Sequence, residues 1–293
     1  MKVTPLIISY KSLEKLNKCI ETIGPNIEII VIENSNKKEI KDYVEKNHQN
    51  CKVVLNNSNL GYSKASNIGF KLVQTDYALL LNTDIIIQES QIKQIEKIAN
   101  ELGGDFTLAS PISDDLIDFN KNNKLDKFFD KENPVFDPNK KFTKVDLVKG
   151  CSLLVNLKKF KNEKIFDDNY FFFFEEIDLC RKIKEKNEKI YVFNQIKIEH
   201  KSSQSLDQKY YTAYHNFRHW NYFWSRFYYF KKHYGFMYSL LKHFGKLIRF
   251  GVNMIRYYFI SEIKFKKNKY RFFGLLLSIM GKEASMSAKI LEK

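Results

Sequence analysis

The sequence lacks the framework signals of several protein classes. Its four cysteines, Cys19, Cys51, Cys151 and Cys180, stand apart with no CxxC pair. That excludes a zinc ribbon and a disulfide scaffold and fits a reducing compartment. No GxGxxG and no P-loop are present, so the pattern offers no ready-made phosphate cradle. No internal repeat or low-complexity linker divides the chain. The apolar run in the opening MKVTPLIISYKS stops at Ser9. It is too short for a signal-peptide core, and no cleavage site follows it. The last apolar run, FFGLLLSIMG at 272–281, falls short of the roughly 20 residues that span a bilayer.

What is present is apolar and unevenly charged. Hydrophobic residues make up 44% of the 293 positions, enough for one large domain or a domain plus an extension. The net charge of +15 sits at one end. Residues 201–293 hold 18 Lys and Arg against 4 Asp and Glu, whereas residues 1–200 hold 31 against 30. The first two thirds read as a nearly neutral globular protein. The last third reads as a basic, aromatic-rich extension whose partner is nucleic acid or an anionic membrane surface.

Apolar runs alternate with helical spacings through the first hundred residues. VTPLIISY (3–10), IEIIVIE (27–33), KVVLN (52–56) and DYALLLN (76–82) predict strands. SLEKLNKCIETI (12–23), KEIKDYVEKN and KASNIGFKLV predict helices. Continuous apolar strands between helices signal a parallel sheet covered on both faces, a doubly wound α/β start. Residues 113–144 turn to Asp, Asn and Lys, with Pro134 and Pro138, and predict a surface insertion or a mobile loop. VDLVKGCSLLVN (145–156) predicts a strand and residues 175–186 a helix. KIYVF and IKIEH, within 189–200, predict two short strands, and helices follow His200 to the end.

In an open parallel sheet, ligands bind at the carboxyl ends of the strands. Those ends carry Ser9 and Tyr10, Glu33 and Asn34, then Asn82, Thr83 and Asp84. An aromatic and an acid beside one crevice suit a planar base and its ribose. An Asp after a buried strand suits a divalent cation, which prefers carboxylate oxygen. Asn82 and Asp84 also read as caps of the next turn and helix. NSNLGYSKASNIGF (57–70) holds two Asn-x-Gly units around a helix start. There Gly61 permits positive φ or close backbone approach, and a helix N-terminus can face phosphate. His200 reads either as a structural residue or, with Asp84 nearby, as a metal ligand.

YFFFFEEIDLCRK (170–182) drives five aromatics straight into Glu175, Glu176 and Asp178. Acids in the first turn of a helix are favoured by its dipole. That does not account for the aromatics before them. A carboxylate at the rim of an apolar segment has its pKa raised by desolvation. Such a base can take a proton from a poorly acidic hydroxyl.

Taken in order, ISYKS, VIENS, NLGYSKASNIG, LLLNTD, VKGCSLLV, FFFFEEIDLCRKI and IEHKSSQS resemble bacterial family 2 glycosyltransferases of the GT-A fold. The similarity is to the rhamnosyltransferase-like and galactofuranosyltransferase-like group and covers about residues 3–205. The resemblance implies inverting transfer of a hexosyl or deoxyhexosyl unit from a nucleotide diphosphate sugar to a saccharide or lipid-linked saccharide. It implies Ser9, Tyr10, Glu33, Asn59, Gly61, Asn67, Asn82 and Thr83 around the donor nucleotide. It implies Asp84, with His200 as in some members, at Mn2+ or Mg2+, and Glu176 as the base. Glu175, Asp178, Gly150 and Cys151 fall on the acceptor side. Glu33 and Glu176 stand where the family usually has Asp, and Thr83 leaves one acid in the metal motif where other branches have two.

The implied layout is a catalytic domain over 1–205 and a helical extension over 206–293. In the extension, Lys242, Lys246, Arg249, Asn253 and Arg256 share one helical stripe, opposite Leu240, Phe244, Leu247, Ile248, Ile255 and Phe259. This cationic amphipathic pattern predicts attachment to an anionic membrane, without spanning it. The expected place is the cytoplasm, on the inner face of the plasma membrane, in cell-surface polysaccharide synthesis. A helix packed on the core is the other reading. Two further functions compete. A sugar nucleotidyltransferase needs a basic Gly-rich loop after the first strand, where SYKSLEK offers none. A nucleic-acid binder leaves the carboxylates without a role, so no nucleic acid is expected.

Overall fold

The computed structural model describes residues 2–113, 126–129, 135–161, 163–200 and 211–291. Strands β1 (Val3–Ser9), β2 (Ile29–Glu33) and β4 (Tyr77–Asn82) are buried along almost their whole length. That is why their sequences run apolar without alternation. β3 (Cys51–Leu55), β5 (Ile85–Ile86), β6 (Leu108–Ser113), β7 (Phe142–Val145), β8 (Ser152–Asn156) and β9 (Ile190–His200) complete a nine-stranded sheet among the described residues. Its order is β3-β2-β1-β4-β8-β6-β9-β5, with β7 also paired to β9. β1 pairs in parallel with β2 and β4, and β2 with β3. β8 then runs antiparallel to β4 and β6.

Helices α1 (Leu13–Ile23), α2 (Lys38–Asn47), α3 (Tyr62–Leu72) and α4 (Glu89–Glu101) connect the first strands. α1 and α4 present Leu16, Ile20, Ile92, Ile95 and Ile98 to the same apolar core as Ile7, Val31, Leu79 and Leu81. The expected doubly wound, mostly parallel α/β sheet followed by C-terminal helices is therefore what forms.

Three expectations are corrected. The expected strand over 145–156 is β7 and β8, with residues 146–151 outside both. Part of the expected insertion over 113–144 lies outside the described residues, Pro134 included, and its last residues belong to β7. The two short strands expected within 189–200 are the single β9. The polar pair between them, Asn194 and Gln195, stays in the strand because Asn194 is bonded. Its amide donates to Asp137 O and Thr143 Oγ1, both at 2.9 Å. Opposite it the pairing with β6 shifts register between Pro111 and Ile112, a bulge rather than a strand end.

The chain sorts into two compact units. The sheet unit holds Met1–Asn59, Lys64–Phe166 and Glu176–Asp207. The helical unit holds Gln208–Lys293 together with two earlier pieces, Leu60–Ser63 and Asp167–Glu175. The expected boundary near 205 lies outside the described residues.

In the helical unit, α6 (Tyr211–Tyr234), α7 (Phe236–Tyr257) and α8 (Glu262–Ile279) pack around Phe227, Phe250 and Leu275. α8 approaches α6 at Gly274, where a Cβ would overlap the Trp220 carbonyl. Buried hydroxyls are satisfied by backbone carbonyls. Ser239 Oγ donates to Phe227 O, Ser278 Oγ to Trp224 O and Ser225 Oγ to Phe172 O, each at 2.9 Å.

Candidate active site

The carboxyl ends of β1, β2 and β3 are cross-linked by asparagines. Asn34 N–H donates to Ser9 O at 2.8 Å, and Asn56 N–H to Glu33 O at 2.9 Å. The Asn56 amide donates to Asn34 Oδ1 at 2.9 Å, and the Asn34 amide to Asn59 Oδ1 at 3.1 Å. Ser9 and Glu33 are fully buried there, while Tyr10 keeps partial exposure. Asn56 is not among the residues expected from the sequence. Its only signal there is a polar residue directly after an apolar strand.

One oxygen of Glu33 accepts from the Ser35 N–H at 2.8 Å and from the Ser35 hydroxyl. The other, Oε2, is buried with no hydrogen-bond partner of good geometry. Burial pushes the Glu33 carboxyl above its ordinary range, against the downward pull of Ser35 and Ser9. An acceptor-only oxygen held in a buried crevice suits the hydroxyls of a sugar ring.

The sheet also brings Asp84 and His200 together. β5 pairs antiparallel with the end of β9, setting Ile85 opposite His200. His200 Nε2 then lies 3.5 Å from Asp84 Oδ1, with the two side chains only 6% and 1% exposed. Desolvation pulls the imidazole down, but hydrogen bonds with Asp84 and Cys151 outweigh it and raise His200 to about 9. Cys151 also faces Ser113, at 3.9 Å. Among the described residues no group of three or more His, Cys, Asp or Glu is arranged to hold an ion. A carboxylate oxygen and an imidazole nitrogen in one place nonetheless suit Mn2+, or Mg2+ on the carboxylate alone, provided the cation displaces the imidazolium proton and phosphate and water supply the other ligands. Asn82 and Thr83 lie just before this pair. Asn82 N–H donates to Cys151 O at 3.1 Å, and Thr83 is buried.

Helix α5 (Glu175–Glu185) starts at the acidic cluster. Glu176 Oε2 is shut from solvent and has no hydrogen-bond partner. Burial raises its pKa; the N–H groups of Glu176 and Ile177 and the Lys149 ammonium oppose that rise. Gly150 lies directly against it. A Cβ added at 150 would stand 3.4 Å from Glu176 Cβ and 3.5 Å from its Cδ. Glu175 and Asp178 are buried as well, at 6% and 5% exposure.

The aromatics before α5 are held in an unusual backbone. Phe173 and Phe174 have φ of 69° and 74°, the left-handed region that costs a non-glycine residue about 1–3 kcal/mol. Within the helical unit the rings are clamped. Phe173 meets Tyr222 at 5.9 Å between centroids, and Phe174 meets Tyr222 and Tyr229 at 5.6 and 5.7 Å. Gly61 serves the same segment. At φ 81°, a Cβ there would stand 2.7 Å from Phe171, whose carbonyl accepts the Tyr62 N–H at 2.7 Å. In the sheet unit, Asn67 bonds the backbone of Phe166 in both directions, at 2.8 and 3.1 Å.

Comparison with known proteins places the fold and the family. The mannosyltransferase PcManGT from Pyrobaculum calidifontis, solved in complex with GDP-Man and Mn2+, superposes with a TM-score of 0.57 at 10% identity. The superposition covers 96% of this chain and 88% of that one. The 1–349 fragment of S. aureus TarS gives a TM-score of 0.50 at 11% identity, covering 96% and 92%. At such identities the likeness is one of fold. The low-salt glycan biosynthesis hexosyltransferase Agl10 of Haloferax volcanii is 21% identical over 192 residues, 62% of this chain. That match spans 61% of the relative's length. The model of glycosyl transferase family 2 aligns with residues 6–162, more than half of the chain, and takes in the strand ends at Ser9, Glu33 and Asp84. Through that match, this chain belongs to glycosyl transferase family 2.

Proposed function

We propose that this chain moves a hexosyl or deoxyhexosyl unit from a nucleotide diphosphate sugar to a saccharide or lipid-linked saccharide hydroxyl, with inversion. The observation that carries this reading is Glu176: a half-buried side chain whose Oε2 is shut from solvent and unbonded, and whose pKa burial raises. Such a group accepts a proton from an alcohol at neutral pH better than an exposed carboxylate does. The Asn34–Asn56–Asn59 ladder and the open oxygen of Glu33 support a nucleoside at the strand ends, with Tyr10 beside the base.

Asp84 and His200 would hold the divalent cation. When bound, it supplies neutralisation of the departing diphosphate. The chain's own work is to bind and orient. Glu33 fixes the ribose, Glu176 takes the proton of the acceptor hydroxyl, and Gly150 leaves that hydroxyl room to approach. Attack from the side opposite the leaving group inverts the anomeric centre. Holding both substrates in line removes much of the entropic barrier. We assign this chemistry to residues 1–205 and surface attachment to 206–293, in cell-surface polysaccharide synthesis on the inner face of the plasma membrane.

Glu176→Gln tests the reading. It keeps shape and removes the proton acceptor, so turnover should fall about 10²–10⁴-fold while donor affinity holds. A thermal-shift panel of UDP-, GDP- and dTDP-sugars with and without Mn2+ identifies the donor for that assay. Near-parent turnover in the variant would remove Glu176 from the reaction.

A further inference from the structure

We infer that the outward face of α7, with the corner joining it to α8, is a docking surface for an anionic lipid membrane. The inference deepens the proposed surface attachment of 206–293 by naming its residues and its lipid class, and it rests on the proposed transfer only for the lipid-linked acceptor it would serve.

An amphipathic helix in a soluble protein turns its apolar stripe inward. α7 turns Leu247 and Phe250 inward but carries a second, longer apolar stripe outward. Its buried residues are Ser239, His243 and Phe250. His243 Nδ1 bonds Ser239 O at 2.8 Å, and the Asn253 amide reaches Asn268 at 3.5 Å. Leu247, expected on the lipid side, packs inward against the helical core. The outward stripe is Leu241, Phe244, Ile248, Val252, Ile255 and Phe259, exposed by 74, 53, 52, 58, 75 and 91%. It continues round the corner at Tyr258, Ile260 and Ile263, exposed by 62, 68 and 81%. Single exposed apolar residues mean little, but a contiguous strip of them marks a binding surface.

The charges beside the strip choose the occupant. Lys242, Arg249, Arg256, Lys264 and Lys267 are all exposed along it, and Glu262 is the only acid between residues 236 and 280. A second copy of this chain would bring these cations against their own kind. Nucleic acid would meet the cations but leave Leu241, Ile248, Val252 and Ile255 without bases to stack on. An anionic membrane interface takes both, burying the apolar strip among acyl chains and the cations among headgroups. Among the described residues no helix is long and apolar enough to cross a membrane, so α7 lies along the surface, about 33 Å of helix at 1.5 Å per residue.

The test is cosedimentation of the full chain with phosphatidylglycerol–phosphatidylcholine vesicles and with phosphatidylcholine alone, without sugar donor. The parent should bind the anionic vesicles far better. Reversing Lys242, Arg249, Arg256 and Lys264 to Glu should weaken that binding at least about a hundredfold, since each cation contributes about fivefold. Leu241→Gln, Ile248→Gln and Ile255→Gln together should abolish binding to both vesicle types. All seven positions are exposed, so both variants should keep the parent's thermal midpoint. Should the triple variant unfold, Leu241→Gln and Ile255→Gln singly give the same reading.

Failure of the parent to bind anionic vesicles at low salt would overturn the inference, as would variants that bind like the parent. A dimer in ultracentrifugation that the triple variant splits, with no vesicle binding, would overturn it in favour of self-association. Tighter binding to single-stranded RNA than to the vesicles would overturn it too. A chain that binds vesicles but transfers no sugar supports this surface and sinks the proposed reaction instead.

Discussion

The two units treat polarity in opposite ways. The sheet unit buries acids: Glu33, Asp84 and Asp178 are at most 5% exposed. Apart from Glu175 at the edge of one of its pieces, the helical unit buries neutral groups such as Ser225, Ser239, His243 and Ser278, most of them bonded to backbone carbonyls of neighbouring segments, and exposes aliphatic side chains beside cations. Buried charge is costly unless a ligand or partner completes it, and so is exposed apolar surface. Each unit therefore carries its departure from the ordinary rule where it meets something else. On the readings proposed above, that something is small and polar for the sheet unit, and broad and apolar for the helical unit.

The largest expected break of this contrast is at Asp84. Asp84→Asn keeps the shape but would weaken the proposed cation site, and turnover with Mn2+ should fall at least about a hundredfold. EDTA should do the same to the parent, measured with the donor found by thermal shift. Full activity in EDTA would leave Asp84 and His200 as a buried structural pair.

The next effect belongs to the helical unit, where packing rather than charge is at stake. Gly274→Val puts a branched side chain against the Trp220 backbone. Overpacking of this kind costs about 1–3 kcal/mol, read as a lower unfolding midpoint. A midpoint like the parent's would show that α6 and α8 separate easily there.

Stability against pH sharpens the comparison further. Burial raises both Glu33 and Glu176, so the folded chain holds these protons more tightly than the unfolded chain does. Their contribution is intact below the ordinary Glu range and is lost as pH rises through the raised values. Glu176→Gln removes its share of that loss. The variant should gain stability on the parent as pH rises above the ordinary Glu range, by about 1.4 kcal/mol for every pH unit through which burial lifts the carboxyl. Parallel curves of midpoint against pH would mean that the raised carboxyl is not a burden on the fold.

The smallest change is Ser239→Ala. It deletes the bond to Phe227 O and should cost about 1 kcal/mol, with little dependence on pH. A strongly pH-dependent loss would mean that His243, bonded to the same residue's carbonyl, depends on this hydroxyl.

Much of the sheet unit is legible in the sequence, because β1, β2 and β4 are buried on both faces and so spell out continuous apolar runs. Ser9, Glu33 and Asp84 then fall at strand ends by counting. What escapes is whatever depends on a partner far along the chain. The Asn34–Asn56–Asn59 ladder joins two strand ends, and no local pattern links its members. β9 looks interrupted because Asn194 is polar; its partners at Asp137 and Thr143 belong to another segment. The left-handed Phe173 and Phe174 carry no glycine or asparagine to announce them, because the rings of α6 hold the turn. The amphipathic character of α7 is plain from its spacing, but a helical wheel has no sense of inside and outside.

The pairing of Ile85 with His200 has a consequence for synthesis on the ribosome. Strand parity alternates, so a slip of one position at β5 would turn His200 away from Asp84. The pair exists only once β9 has been translated and has docked in register. A nascent chain that has completed the family segment through residue 162 holds the strand ends at Ser9, Glu33 and Asp84 without the imidazole of His200. On the proposed reading, the donor site begins as a half-built receptor, and the wall that would face the cation is installed late, by the last of the described strands to leave the exit tunnel.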